Sequence, residues 1–261
     1  MNKRALLTAL LVLGIASPAA AQRRGSSELR EGVERLDATS PSEVRAGLEQ
    51  LGLLGNPGAV DPISERIRRG LPPELLGVAV DTLMILGRPQ AGPVLFDLMG
   101  HRRGPIRFKA VQAIVACRPR GAERALTEAL SDSDETVRGA AAEGLGTLGA
   151  HGAIDALFLA MERHVPEAPM AIAQVARPPD VERFLENLGR MPFSEVTSAL
   201  SEMIHRDDLA AASKLAIVHR LTELATAEVR QFLEELVANA DETVPANVLR
   251  AAQDAIPRIG Q

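Results

Sequence analysis

Apolar residues recur along the middle of this chain with a period of about 31 residues. In the block that begins at Val137, apolar or small residues stand at positions i, i+4, i+5, i+8 and i+11. The same spacing begins at Ile106 and at Leu75, and part of it returns from Leu48 onward. This spacing places the apolar side chains on one face of a helix of about three and a half turns.

A second helix is predicted after each of these helices. Ala59, Ile63 and Ile67 share one helical face, and the same spacing recurs in the next three blocks. Turns rich in Gly, Pro and Arg separate the two helices, and Ser or acidic residues precede the next first helix. Each block is therefore a helical hairpin with two apolar faces. Because one hairpin cannot bury both faces, neighbouring hairpins must stack into an all-α solenoid without a β-sheet.

The predicted solenoid occupies residues 41–261 and is regular to about residue 190. Beyond that point, residues 181–188 are echoed 48 residues later by residues 229–236. The extra length predicts one additional helix at about 194–205, inserted before a hairpin at 209–238. A final helix at about 245–256 is expected to cap the stack.

The N-terminus has the pattern of an export signal. Lys3 and Arg4 precede an apolar run at 5–16, and Ala19-Ala20-Ala21 provides small residues before a cleavage point. We expect residues 1–21 to be removed after Ala21 and the protein to be periplasmic or secreted. An uncleaved membrane anchor is the alternative, which the short apolar run disfavours. Residues 22–40 are expected to be a leader with one short amphipathic helix containing Leu29, Val33 and Leu36.

Composition and charge exclude several classes of function. The chain has no Trp, no Tyr and 6 Phe, which disfavours pockets that stack sugars or bases. Its net charge is −5, and loss of Lys3 and Arg4 leaves 27 basic against 34 acidic residues, a net charge of −7. We therefore expect no nucleic-acid partner. No later segment is a run of 18 apolar residues, so stable membrane insertion of the mature chain is not expected.

Motifs for catalysis or metal binding are not found in the sequence. The five His residues form no His-Glu-x-x-His motif, and the single Cys117 occupies a core position of its repeat. Asp132, Asp134 and Glu143 resemble part of a calcium loop, but Val137 stands where that loop needs Gly, so helix capping is favoured. We predict no catalytic residue, no metal site and no cofactor.

Residues 134–161 resemble HEAT and HEAT-like repeats of the phycobilin-lyase type. The resemblance is carried by Glu-Thr-Val-Arg, Ala-Ala and two Leu-Gly pairs, followed by a Gly-Ala-Ile turn. It implies an armadillo-like scaffold, here an exported bacterial one, in which the second helices line a concave protein-binding face. It also leaves open an alternative, a lyase-type enzyme or chromophore-binding protein.

Acidic residues recur at one exposed position of the predicted second helices. This acid row is proposed to contact a protein or peptide partner with basic residues, because stacked acids repel each other unless they meet cations. The alternative is an ordinary solvated helix face. A weaker candidate is a basic edge formed by turns between hairpins. The acid row comprises Glu65, Asp97, Glu128, Glu186 and Glu234, and Leu159 occupies its remaining position. Three further acidic residues stand four residues before a position of the row: Asp61, Asp155 and Glu182. The basic edge comprises Arg68, Arg69, Arg102 and Arg103.

Overall fold

The computed structural model describes residues 18–259, which form fifteen α-helices and four short 3₁₀ turns. No β-strand occurs among these residues, so the predicted all-α fold is confirmed. In chain order the helices are α1 (Pro18–Leu36), α2 (Pro41–Leu54), α3 (Val60–Arg69), α4 (Pro73–Leu86), α5 (Gly92–Met99), α6 (Gly104–Cys117), α7 (Ala122–Ala129), α8 (Glu135–Thr147), α9 (Ile154–Glu162), α10 (Ala168–Val175), α11 (Pro178–Glu186), α12 (Phe193–His205), α13 (Ala211–Leu224), α14 (Ala227–Ala238) and α15 (Ala246–Ala255).

The helices alternate between two layers. The even-numbered helices from α2 to α14 pack against one another in sequence and form the first layer. The odd-numbered helices form the second layer, in which α1, α3, α5 and α7 follow one another and α11, α13 and α15 continue the series. Each pair of consecutive helices is thus a hairpin that packs against the hairpins before and after it, as expected for a solenoid.

Prolines and capping residues set the helix boundaries that the sequence indicates. Proline occupies the first turn of α2, α4 and α6, where its missing N–H leaves no helical bond unmade. Asp134 caps α8 by accepting a hydrogen bond from the backbone N–H of Thr136 at 3.0 Å. Gly55 and Gly87 end α2 and α4 in the left-handed conformation that favours glycine.

The core follows the 31-residue pattern. Leu83, Ile114 and Leu145, which occupy equivalent positions, are each 0% exposed. Cys117 is also buried, and its thiol donates a weak hydrogen bond to the carbonyl of Leu83 at 3.4 Å. Burial raises the pKa of this thiol, so it remains protonated and serves as a small core residue.

Neighbouring helices contact each other to a different extent in the two layers. From α2 to α12, neighbouring first-layer helices contact each other extensively, whereas neighbouring second-layer helices touch at few places. Glycines permit this close approach, since a Cβ on Gly144 would lie 2.5 Å from Cγ2 of Val115 on α6, and one on Gly146 would lie 3.1 Å from Cα of Ala171 on α10. The first-layer helices thus form the more closely packed layer, and the expectation that the second helices line a concave face stays a prediction.

The C-terminal helices continue the alternation. The helix expected at 194–205 is present as α12, but it packs on α10 as the next first-layer helix and is not an insertion. After α12 the spacing reverses, because α13 packs closely on α15 while α12 and α14 make few contacts. The final helix α15, followed by a 3₁₀ turn, packs on α13 and α14 and closes the described stack.

Helix α1 is longer than the short helix expected within residues 22–40. It spans Pro18–Leu36, packs along α2 and contacts α3, so this segment is part of the stack and not a separate leader. The expected export signal at 1–21 lies mostly outside the described residues. Among the helices within 18–259, none combines the length and apolar character that a membrane crossing requires.

Candidate partner-binding faces

The acid row does not lie on one layer. Glu65, Asp97, Glu128 and Glu186 are exposed on α3, α5, α7 and α11, all in the second layer. Glu234 is on α14, which packs on α12 in the first layer. The 48-residue echo therefore relates helices of different layers, and including Glu234 in the row is wrong.

Much of the acid row is neutralised by the protein itself. Glu65 pairs with Arg68 at 3.5 Å, and Glu128 pairs with Arg124 at 3.2 Å, each one helical turn away. Glu234 likewise pairs with Arg230 at 2.9 Å. Exposed pairs of this kind contribute about 0–1 kcal/mol to stability, but they supply the cation that the row was expected to require from a partner. Asp97 and Glu186 have no ion-pair partner among the described side chains.

The three additional acids also lie on second-layer helices. Asp61 is on α3 and Glu182 on α11, both exposed. Asp155 on α9 pairs with Arg183 on α11 at 2.5 Å, and the same guanidinium stacks 4.0 Å from the ring centre of Phe158. Arg183 thus joins two successive second-layer helices, which gives Asp155 a structural role.

The basic edge is only partly available to a partner. Arg68 pairs with Glu65, and Arg69 pairs with Asp37 at 2.9 Å. Arg102 and Arg103 are exposed in the turn before α6 and have no ion pair among the described residues. The edge therefore presents two free guanidinium groups in one turn.

The acidic loop before α8 is a structural element. Asp132 receives two hydrogen bonds from the Arg107 guanidinium, at 2.7 and 2.6 Å, and one from the backbone N–H of Asp134. The Arg107 hydrogen bonds lower the pKa of Asp132. The carboxylate oxygens of Asp132 thus accept hydrogen bonds from protein donors, while Asp134 caps α8. No cluster of three or more metal-ligating side chains occurs in the described part of the chain.

The first layer carries a polar row that the sequence analysis missed. Its six members occupy equivalent positions on consecutive first-layer helices, and successive members are 31 or 32 residues apart. Applying the apolar period to the exposed positions of the first helices would have found it. This first-layer row comprises Glu49, Asp81, Gln112, Glu143, Gln174 and His205.

The middle of the first-layer row is free of internal partners. Gln112 and Glu143 line one shallow depression between α6 and α8, so their side chains are neighbours. Gln112, Glu143 and Gln174 are exposed and make no side-chain hydrogen bond or ion pair with the described residues. By contrast, Asp81 forms an ion pair with Lys109 on the next first-layer helix. The row therefore offers amide groups and one uncompensated carboxylate on the first-layer face.

Two large aliphatic side chains are exposed at the N-terminal end of the same layer. Leu53 on α2 is 91% exposed and Ile85 on α4 is 68% exposed. They stand at equivalent positions, one turn beyond the first-layer row, and Ile85 leans over Gly52 on α2. An exposed aliphatic pair next to a polar row is typical of a surface that contacts a partner.

A groove opens at the other end of the first layer, where α12 and α14 separate. Its volume is about 560 Å³, within the range of peptide or ligand sites. The buried side chains of Phe232 and Leu236 lie at its base. The ring of Phe232 packs edge-to-face on the ring of Phe193, with ring centres 5.9 Å apart. Polar side chains from both helices surround this base: Thr197, Ser198, Ser201, Glu202, His205, Glu235 and Asn239.

Comparison with known proteins agrees with this architecture. The sequence model of the HEAT-repeat family matches residues 102–177, which contain α6 to α10. No curated protein matches the chain. The family match lies in the part of the stack where the 31-residue period is most regular.

Several solved structures are similar in fold to this chain. A homology model of the full-length AP-3 complex matches with a TM-score of 0.53 and 14% identity, covering 91% of this chain and 52% of that one. Phycocyanin lyase from Nostoc, in the complex of CpcE and CpcF, matches with a TM-score of 0.49 and 18% identity, covering 88% and 94%. Human deoxyhypusine hydroxylase matches with a TM-score of 0.44 and 18% identity, covering 92% and 99%. At these identities only the fold is shared. The family match thus shows that residues 102–177 are similar to HEAT repeats, within a chain that folds as a two-layer stack of helical hairpins.

Proposed function

We propose that this protein is an exported, non-catalytic scaffold that binds a protein or peptide partner through its first-layer face. The observation that carries the proposal is the unpartnered centre of the first-layer row. Gln112, Glu143 and Gln174 are exposed on the first-layer face, and no described side chain forms a hydrogen bond or ion pair with them. Amide and carboxylate groups in this arrangement accept and donate hydrogen bonds to an extended chain.

The second-layer acid row is the competing surface. It lies on the second-layer helices, and Glu65 and Glu128 already pair with arginines on their own helices. The exposed Leu53 and Ile85 lie on the first layer instead, which supports that face. Apolar contacts and shape complementarity provide most of the affinity in protein interfaces, and rim charges chiefly adjust rate and specificity.

The export component of the proposal rests on the N-terminal sequence. Lys3, Arg4 and the apolar run at 5–16 have the order of a secretory signal, and a small-residue cleavage point follows at Ala21. The non-catalytic component rests on the chemistry of the described surface. Its acidic loop is engaged by Arg107, and its one thiol is buried.

A photo-crosslinking experiment tests the scaffold proposal and its face. A photoreactive amino acid is placed at position 112 or 174 on the first layer, and at position 97 or 128 on the second layer. All four side chains are exposed, so the substitutions should not disturb folding. The protein is then irradiated in its native cells, and covalent adducts are identified by mass.

We expect a discrete protein adduct from positions 112 and 174 only. Adducts from positions 97 and 128 alone would transfer the binding site to the acid row. If no position gives an adduct above that of an unirradiated sample, the scaffold function itself is refuted.

A further inference from the structure

The groove between α12 and α14 has a chemical character that the rest of the first layer lacks. Its base is apolar, formed by Phe232 and Leu236, and each wall carries one carboxylate. Glu202 on α12 is half-buried and has no hydrogen-bond or ion-pair partner among the described residues. Glu235 on α14 is exposed and receives only a hydrogen bond from the neutral amide of Gln231, at 2.8 Å.

No positive charge of the described chain compensates these carboxylates within the groove. None of its lining residues is Lys or Arg. The nearest guanidinium along the chain, that of Arg206, is turned away and binds the carbonyls of Ala173 and Ala176 together with Asp208. His205 donates a hydrogen bond from Nδ1 to the carbonyl of Ser201 at 2.8 Å. The groove therefore presents acceptors over an apolar base.

We propose that this groove binds a lysine or arginine side chain from an extended segment of the partner protein. The aliphatic part of that side chain lies on Phe232 and Leu236, and its cation is placed between Glu202 and Glu235. Long basic side chains combine an apolar stem with a charged end, which is the combination that this groove complements. The inference rests on the proposed scaffold function and specifies the partner of the first-layer face.

The first-layer row extends the same binding site toward the centre of the stack. His205, at the end of the row, lines the groove, and Glu143 is the next uncompensated carboxylate on this face. From α8 to the middle of the groove there are two and a half helix steps of about 8–10 Å each, or roughly 20–25 Å. An extended chain covers about 3.4 Å per residue, so two basic residues about six or seven positions apart reach both sites. The partner segment is thus expected to carry two cations at this separation.

Synthetic peptides test the proposal directly on the full chain. Each fluorescent peptide contains two arginines in an otherwise neutral sequence, separated by three, six or ten positions. A second set replaces each arginine in turn by citrulline, which keeps the shape of the side chain but removes its charge. Binding is measured by fluorescence anisotropy at about 50 and 300 mM salt, because screening weakens exposed charge pairs.

We expect the peptide with the six-residue separation to bind most tightly. Glu202→Gln combined with Glu235→Gln should weaken its binding at least about tenfold, and should remove the difference between arginine and citrulline at the groove position. The control Glu182→Gln with Glu186→Gln removes the same charge from exposed positions of α11 and should leave binding unchanged. Circular dichroism checks that both double variants are folded.

Equal weakening by the groove and control variants would reduce the effect to net charge and overturn the proposal. Binding that is independent of arginine separation would overturn the two-cation arrangement. If the peptides fail to bind while crosslinks from positions 112 and 174 persist, the groove proposal is wrong and the scaffold function stands. If both experiments fail, the scaffold function is refuted as well.

Discussion

Truncation of Ile114 tests whether the repeat register is the source of stability. Ile114 is 0% exposed in the middle of α6, between the equivalent core residues Leu83 and Leu145 of the adjacent first-layer helices. Ile114→Ala removes three carbon atoms from a site that is closed on all sides. Ile114→Val removes one carbon atom and provides a graded comparison at the same position.

The size of the effect follows from transfer and cavity terms. Three buried carbons correspond to about 2.4 kcal/mol at about 0.8 kcal/mol each. The cavity left behind raises the loss of unfolding free energy into the range of about 2–5 kcal/mol for alanine, against about 0.5–1.5 kcal/mol for valine. For a domain of this size, each 1 kcal/mol lowers the melting temperature by about 2–4 °C. The alanine variant should therefore melt about 4–20 °C below the wild type.

Urea and thermal unfolding followed by circular dichroism at 222 nm measure this loss. Gln112→Ala, on the exposed side of the same helix, is the matched control and should change stability by no more than about 0.5 kcal/mol. A loss near zero for Ile114→Ala, or a loss equal to that of Gln112→Ala, would show that this helical face does not form the core.

Three further predictions concern charge and export. Asp132→Asn should destabilise the protein at neutral pH, because hydrogen bonds from Arg107 lower the pKa of this carboxyl in the folded state. This stabilisation is present above the unfolded-state pKa of about 3.9 and is lost as the pH falls through the lower folded-state pKa. A difference in unfolding free energy between wild type and variant that stays constant in urea titrations from pH 7 to pH 2 would contradict this. Asp97→Lys with Glu128→Lys should leave crosslinking from the first layer unchanged, since both positions are exposed on the second layer; loss of those adducts in a folded variant would restore the acid row as the site. N-terminal sequencing of the exported protein should begin at or near Gln22, whereas a mature chain that retains Met1 would favour the membrane-anchor alternative.

Local periodicity predicted most of the fold because equivalent positions of each repeat are buried against equivalent positions of its neighbours. Positions such as Leu83, Ile114 and Leu145 are apolar in every block, and their burial requires no information about distant residues. The prediction failed where two segments of similar sequence belong to different layers. Residues 181–188 and 229–236 share a pattern of Val, Phe and Leu, yet one helix packs in the second layer and the other in the first. An amphipathic helix of this composition can pack in either layer, so its layer is determined by the helices that it contacts.

The candidate site was less predictable than the fold. Exposed charges such as Glu65 and Glu128 recur with the repeat, but the sequence alone does not show that Arg68 and Arg124 neutralise them from the same helix. The spacing of the first-layer helices depends on close approaches at small residues such as Gly144, whose neighbours the sequence alone does not identify. The groove between α12 and α14 depends on a change in that spacing, and no single residue indicates it.

The three glycines of α8 have a consequence for how the chain folds. Gly139, Gly144 and Gly146 each disfavour an isolated helix by about 1 kcal/mol relative to alanine, so α8 has little intrinsic tendency to form alone. A side chain at Gly144 would collide with Val115 of α6, and one at Gly146 would press on the backbone of Ala171 in α10, whereas one at Gly139 would only displace the end of the Glu167 side chain. In the language of a one-dimensional Ising chain, this repeat combines an unfavourable intrinsic term with a strong coupling term. We therefore expect α8 to order only after its neighbours have formed, which makes the centre of the stack the link through which its two halves fold cooperatively.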